Sequence, residues 1–142
     1  MRAARLGMLL VTELDAFFRR WGVTAHQFNV LRILYVHDPD RKGLSRGFLE
    51  KRLVQRMPDV TRLLARLEAG GLLARHRPSE DQRTVLVTLT DKGWDMVEQS
   101  HHPLLALNRS QFQNFSQAEL QQFIELTRKA LDRRAVFPDT KV

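Results

Sequence analysis

A mainly α chain with one small two- to three-stranded β element is what this sequence predicts, and three observations carry that expectation. Apolar residues recur at helical spacing along most of the chain. Period-two alternation is confined to a short stretch ending Val85, Val87 and Leu89. Residues 41–83 hold eleven Lys/Arg against five Asp/Glu, a balance of +6 that accounts for nearly all of the net charge of +7. The flanks are close to neutral, so the basic character is a local device for meeting a polyanion rather than a general aid to solubility.

Size and composition narrow the class. A chain of 142 residues fits one domain, and folding at that size buries roughly two-thirds of the surface the unfolded chain exposes. There are no cysteines, which excludes disulfide staples, Cys-based zinc sites and thiol redox switches. The N-terminal apolar run, Leu6 to Val11, is followed by Glu13 and Asp15 and is too short for a membrane span or a secretory core. A soluble cytoplasmic protein with no membrane partner is the expectation. No repeat or low-complexity tract is present, and only the residues from Phe137 on read as a loose tail.

The elements follow in order. About Arg5 to Arg20, Leu6, Leu10, Leu14, Phe17 and Phe18 fall on one wide helical face. Trp21-Gly22-Val23 interrupts it, and Thr24-Ala25-His26-Gln27 has the spacing of a capping box ahead of a second helix reaching about Tyr35. Asp38-Pro39-Asp40 and Lys42-Gly43 make a loop, and Ser45 is placed to cap a short third helix with Phe48, Leu49 and Leu53.

The fourth helix, about Pro58 to Ala69, carries most of the functional argument. Val60, Leu63, Leu64 and Leu67 define its buried stripe. The opposite face is Pro58, Arg62, Ala65 and Ala69, flanked by Thr61 and Arg66. Small side chains let another molecule approach the helix closely, while arginine supplies charge and forked hydrogen bonds. Met57 before Pro58 has no side-chain acceptor for the free N–H groups of the first turn, a place a phosphate or water is available to fill.

Gly70-Gly71 ends that helix. Leu72 to His76 reads as a strand, Arg77 to Gln82 as a polar hairpin tip, and Thr84 to Leu89 as the returning strand. Thr90 caps the next helix, which Pro103 should kink or break near its middle. Ser116-Gln117-Ala118-Glu119 is a second capping box, ahead of a last helix striped by Leu120, Phe123, Ile124, Thr127 and Leu131.

Three short helices followed by a two-stranded hairpin make a winged helix-turn-helix, an arrangement in which one helix enters the major groove of DNA and the hairpin reaches the flanking backbone or minor groove. Residues 57–93, from Met-Pro-Asp-Val-Thr-Arg-Leu-Leu-Ala-Arg-Leu-Glu-Ala-Gly-Gly through Asp81-Gln82-Arg83 to Leu89-Thr90-Asp91-Lys92-Gly93, resemble the signature of the MarR family of bacterial transcription regulators. The shared order is a recognition helix ending Leu-Glu-x-x-Gly, a basic strand, a wing with Asp-x-Arg, a second strand and Leu-Thr-x-x-Gly. Several elements agree in order and distance, and the flanking helices fit the plan, so the similarity covers essentially the whole chain.

The resemblance implies a homodimer on double-stranded DNA. Helices at about 1–22 and 91–136 of both chains would interlock, and residues of about 24–90 would form a DNA-binding lobe, all within one domain spanning 1–142. Arg83 would enter the minor groove with Asp81 as its orienting partner; Thr61, Arg62, Met57 and Asp59 match positions facing the major groove. With the cap at Ser45 and the cations of the same segment, the expected DNA-facing set is Ser45, Met57, Pro58, Asp59, Thr61, Arg62, Arg66, Arg75, Arg77, Asp81 and Arg83. Relatives bind small aromatic acids where the first, second and fifth helices meet, which makes Phe17, Trp21, His26 and Tyr35 candidates for a small aromatic or phenolic effector. Two departures are Gly47, inside the short third helix, and the absent cysteines, which remove a peroxide-sensing mode.

Each signal also has a plainer reading. Arg62 and Arg66 alone suit a solvated helix face; the Ala-lined surface and the +6 segment favour a functional one. Arg75 and Arg77 fit phosphate contacts and edge-strand protection equally. His101-His102 point to different sides of a helix, as an exposed pair does, and imply no metal site. Glu80-Asp81 are adjacent rather than convergent carboxylates, and no phosphate-cradling Gly loop or nucleophile elbow is present, so no catalytic residue and no cofactor are assigned. The reading is a DNA-binding regulator, of repressor type; its rival is a winged-helix module for protein contact.

Overall fold

Most helix starts are written in the four residues that surround them. The structure, a computed structural model, describes residues 1–53, 60–78, 81 and 83–132. In chain order it comprises α1 (Arg2–Phe18), a 3₁₀ turn (Arg19–Trp21), α2 (Ala25–His37), β1 (Leu44–Ser45), α3 (Arg46–Arg52), α4 (Val60–Ala69), β2 (Leu73–His76), β3 (Leu86–Leu89), α5 (Asp91–Gln111) and α6 (Gln117–Asp132). It divides into two compact units, Met1–Leu104 and Leu105–Val142.

In the first unit, Thr24 Oγ1 accepts the Gln27 N–H at 3.2 Å while the Thr24 N–H donates to Gln27 Oε1 at 2.9 Å, so the expected capping box fixes the start of α2. Ser45 Oγ accepts the Phe48 N–H at 3.2 Å, and α3 forms despite Gly47. The core is built around α2, which buries Phe28, Val30, Leu31, Ile33 and Leu34 and is apolar on more than one face. Phe18 stacks on Phe28 from α1, with ring centroids 3.9 Å apart. From α4 come Val60, Leu63, Leu64 and Leu67, the stripe expected from the sequence; the strands add Leu73, Val87 and Leu89, and α5 adds Met96 and Val97. Each such buried side chain stabilises by roughly 1.5–3 kcal/mol.

The sheet is antiparallel with the order β1-β3-β2. Its third strand is only two residues long, pairing Leu44 with Val87 and Ser45 with Leu86, while β2 pairs along Leu73↔Leu89 to His76↔Leu86 and forms an edge. A buried carboxylate holds the loop before β1. Asp38 accepts the Gly43 N–H at 3.0 Å and the Thr88 hydroxyl at 3.0 Å, which ties residues 38–43 to β3.

The two halves of the 57–93 signature meet at the end of α4. The Gly71 N–H donates to Glu68 O at 2.8 Å and the Leu72 N–H to Leu67 O at 3.0 Å, a Schellman closure that needs the positive φ of Gly71. The carbonyls left over are taken by the start of α5. Thr90 Oγ1 donates to Gly71 O at 2.7 Å and Lys92 Nζ to Gly70 O at 2.8 Å, while Thr90 Oγ1 also accepts the Gly93 N–H at 3.1 Å. The Leu-Thr-x-x-Gly segment therefore caps its own helix and fastens the end of α4 in one motif.

Pro103 does not break α5, which remains helical from Asp91 to Gln111. Proline's fixed φ suits a helix, and the loss is one hydrogen bond to residue 99; both Pro103 and Gln99 are exposed, where water can serve the freed carbonyl. In the second unit, Ser116 and Glu119 form the other expected box, with the Ser116 N–H donating at 2.8 Å and the Glu119 N–H donating back at 3.3 Å. Phe112, Phe115 and Phe123 cluster there with centroids 5.7 Å apart. The expected helix start at Pro58, the contacts of Met57, Pro58 and Asp59, the tip residues Glu80 and Gln82, and the tail from Phe137 lie outside the described residues.

Candidate nucleic-acid interface

With Val60, Leu63, Leu64 and Leu67 turned inward, α4 presents Thr61, Arg62, Ala65, Arg66 and Ala69 as exposed residues. The small residues keep this face flat and the arginines rise from it. On one flank, Arg62 and Arg66 border a concavity shared with Asp15, Thr24, His26 and Gln27. On the other flank Thr61 receives a hydrogen bond from Arg46, the first residue of α3, with Nη1 to Oγ1 at 2.8 Å. Sequence reading missed Arg46, whose partner lies 15 residues away on another helix; a cation next to the Ser45 cap was the available signal. Ser45 itself serves the α3 backbone.

The wing turn is organised by Asp81. Its N–H donates to Pro78 O at 3.2 Å, Oδ1 accepts the Arg83 backbone N–H at 2.9 Å, and Oδ2 accepts the Thr84 hydroxyl. The sequence suggested that the carboxylate holds the Arg83 cation. These hydrogen bonds instead run to the chain at Arg83, so the carboxylate orders the turn from which the exposed arginine projects.

Those same bonds, the Thr84 hydroxyl first and the Arg83 N–H second, hold the Asp81 carboxyl below its ordinary pKa. A depressed folded value means stability that is present above the unfolded carboxylate pKa, about 3.9, and lost as pH falls through the folded one. Replacing Thr84 with Val should move the Asp81 titration upward, measured by carboxyl-carbon NMR. An unmoved titration would remove the hydroxyl as main cause.

The remaining cations divide. Arg75, half-buried opposite Val87, turns back onto α4, with Nε 3.2 Å from Glu68 Oε2. Arg77 is exposed just beyond β2. Arg75 thus bridges the edge strand β2 and α4.

The four effector candidates are not brought into one cavity. Phe17 and Trp21 pack together at 5.3 Å and carry the Arg20 guanidinium over their rings at 4.1 and 4.2 Å. His26 lies on the concavity beside α4. Tyr35 packs against Trp94 with the rings tilted and their centroids 4.4 Å apart, and both donate to Glu98 Oε1, at 3.3 and 2.9 Å. Partial removal from water, then the Glu98 charge, pushes the Tyr35 hydroxyl above its ordinary pKa. Helical spacing sends these rings to different neighbours. Tyr35 does border a cavity of about 230 Å³ between α2 and α5, with Phe28, Arg32, Val97, His101 and Leu104 on its walls. No described helix is long and apolar enough to cross a membrane.

The MarR family model matches residues 21–84. YkoM, an uncharacterised HTH-type transcriptional regulator of Bacillus subtilis, is 33% identical over 110 residues, covering 77% of this chain and 68% of YkoM. YdgJ, another from the same organism, is 30% identical over 105 residues, covering 74% of this chain but only 62% of YdgJ, less than two-thirds of that relative. Among solved structures, the S. aureus MepR–DNA complex superposes with a TM-score of 0.80 at 25% identity, over 91% of this chain and 93% of MepR. The fold is mainly α with a three-stranded wing sheet, the Gly70-Gly71 and Thr90–Gly93 parts of the signature bond to each other, and a relative one-third identical matches over most of both chains; the chain belongs to the MarR family.

Proposed function

We propose that the chain is a transcription regulator, of repressor type, that acts in the cytoplasm as a homodimer on a pseudo-palindromic DNA duplex. The observation that carries this reading is the exposed Arg62/Ala65/Arg66/Ala69 face of α4, lying within the segment of charge +6. Such a face suits the major groove, with one α4 per half-site and half-sites about one helical turn apart. MepR, alike in fold over nearly its whole chain, has been solved bound to DNA. Dimerisation is supported by large apolar side chains that a single chain leaves exposed: Met8, Leu9 and Val11 on α1, and Ile124, Leu126 and Leu131 on α6. Residues 24–90 then serve as the DNA-binding lobe, and the helices on either side as the dimerisation region.

Duplexes selected from a random pool and titrated at 50–200 mM salt test the proposal. Affinity should fall with a log–log slope of roughly −5 or steeper, as six or more phosphates shed their counterions. Absence of duplex binding even at low salt would overturn it in favour of a winged-helix module for protein contact. The cavity beside Tyr35 suits a small aromatic acid as effector. The same titration with a phenolic acid in excess reads that role, and unchanged affinity would remove it.

A further inference from the structure

From the Arg46–Thr61 bond we infer a readout rule: Arg46 is a positioning residue that sets Thr61 as a hydrogen-bond donor toward acceptor edges of the DNA bases. The inference rests on the proposed DNA-binding role of α4 and deepens it. Thr61 is an exposed residue on the first turn of the described α4, beside Arg62. A threonine hydroxyl turns readily, and it both donates and accepts. Left alone, it would discriminate poorly between a base edge that gives a proton and one that takes it. Here its oxygen accepts from the Arg46 guanidinium at 2.8 Å. A cationic donor at that distance occupies a lone pair, repels further donors and polarises the O–H, so the hydroxyl becomes a better donor and a poorer acceptor.

Arg46 is itself steadied. Its Nε donates to Glu50 Oε1 one turn along α3, and Ser45, its neighbour, caps that helix. The arginine thus spans from α3 to α4 with its fork fixed at both ends. In the major groove the acceptor edges are N7 and O6 of guanine, N7 of adenine and O4 of thymine, whereas the cytosine and adenine amino groups are donors. Thr61 should accordingly favour the former and reject the latter at one position of each half-site.

The test uses the full chain, with sequences selected from a random duplex pool by wild type, Arg46→Ala, Arg46→Lys, Thr61→Val and the Arg46→Ala/Thr61→Val double variant. Wild type should show a preference of roughly fivefold for acceptor edges at one position, reduced when a 7-deaza purine replaces the preferred purine or a non-acceptor analogue replaces the preferred thymine. Thr61→Val and Arg46→Ala should each flatten that position, Arg46→Lys should recover part of it, and the double variant should match Thr61→Val there. Thermal unfolding monitors the fold of each variant, and Arg46→Lys keeps the question answerable where Arg46→Ala does not fold. A preference that survives Arg46→Ala, or one that Arg46→Ala alters further in the Thr61→Val background, overturns the rule and makes Arg46 either irrelevant or a direct DNA contact. Failure of wild type to bind any duplex instead overturns the proposed function, a different result.

Discussion

An Arg83→Ala variant should lose about tenfold to a hundredfold in operator affinity at fixed moderate salt while retaining the wild-type fold. Arg83 is exposed, and its neighbourhood is ordered by the Asp81 carboxylate through the Arg83 N–H and the Thr84 hydroxyl. Neither bond uses the Arg83 side chain, so the variant isolates the guanidinium. An Asp81→Ala change should have a smaller effect, because it loosens the turn while keeping the cation. Quantitative binding on one selected duplex separates the two. Equal affinity for wild type and Arg83→Ala would remove the wing from the interface and leave α4 as its main element.

The largest effect on stability should come from Gly93→Ala. A Cβ built at Gly93 would stand 2.0 Å from the Leu72 carbonyl oxygen and 3.0 Å from its carbon, a collision with backbone rather than with a side chain that can swing away. Leu72 O is also the acceptor for the Thr90 N–H at 3.2 Å, so the clash falls on the joint that fastens α4 to α5. A cost of roughly 3 kcal/mol or more is expected, read as a lowered urea midpoint. Gly47→Ala is the internal control: it is helical and exposed, with nothing within 4 Å of the added atom, and should be neutral or stabilising by up to about 1 kcal/mol. A Gly93→Ala midpoint equal to wild type would discard the contact.

These expectations also mark what a sequence can and cannot disclose. The caps at Thr24, Ser45, Thr90 and Ser116 were legible because donor and acceptor lie within three residues of each other. The α4 stripe was legible because burial there repeats with the helix period. Asp38 was not, since its partner Thr88 is 50 residues away and nothing in periodicity links them. Nor was β1 specified, two residues being too few to show alternation. Arg46 and Arg75 likewise take their meaning from neighbours on other elements, Thr61 and Glu68. A break at Pro103 does not occur, because an exposed helix tolerates one missing bond that a buried one would not.

The pairing of Leu44 with Val87 has a kinetic side. It closes a chain loop that contains α3, α4 and β2, and loops of that length are entropically slow to shut compared with the turn-by-turn growth of a helix. Helical segments with their own caps can form early, but the sheet is complete only when β3 slots between β1 and β2. Refolding should therefore be limited by arrival of that central strand.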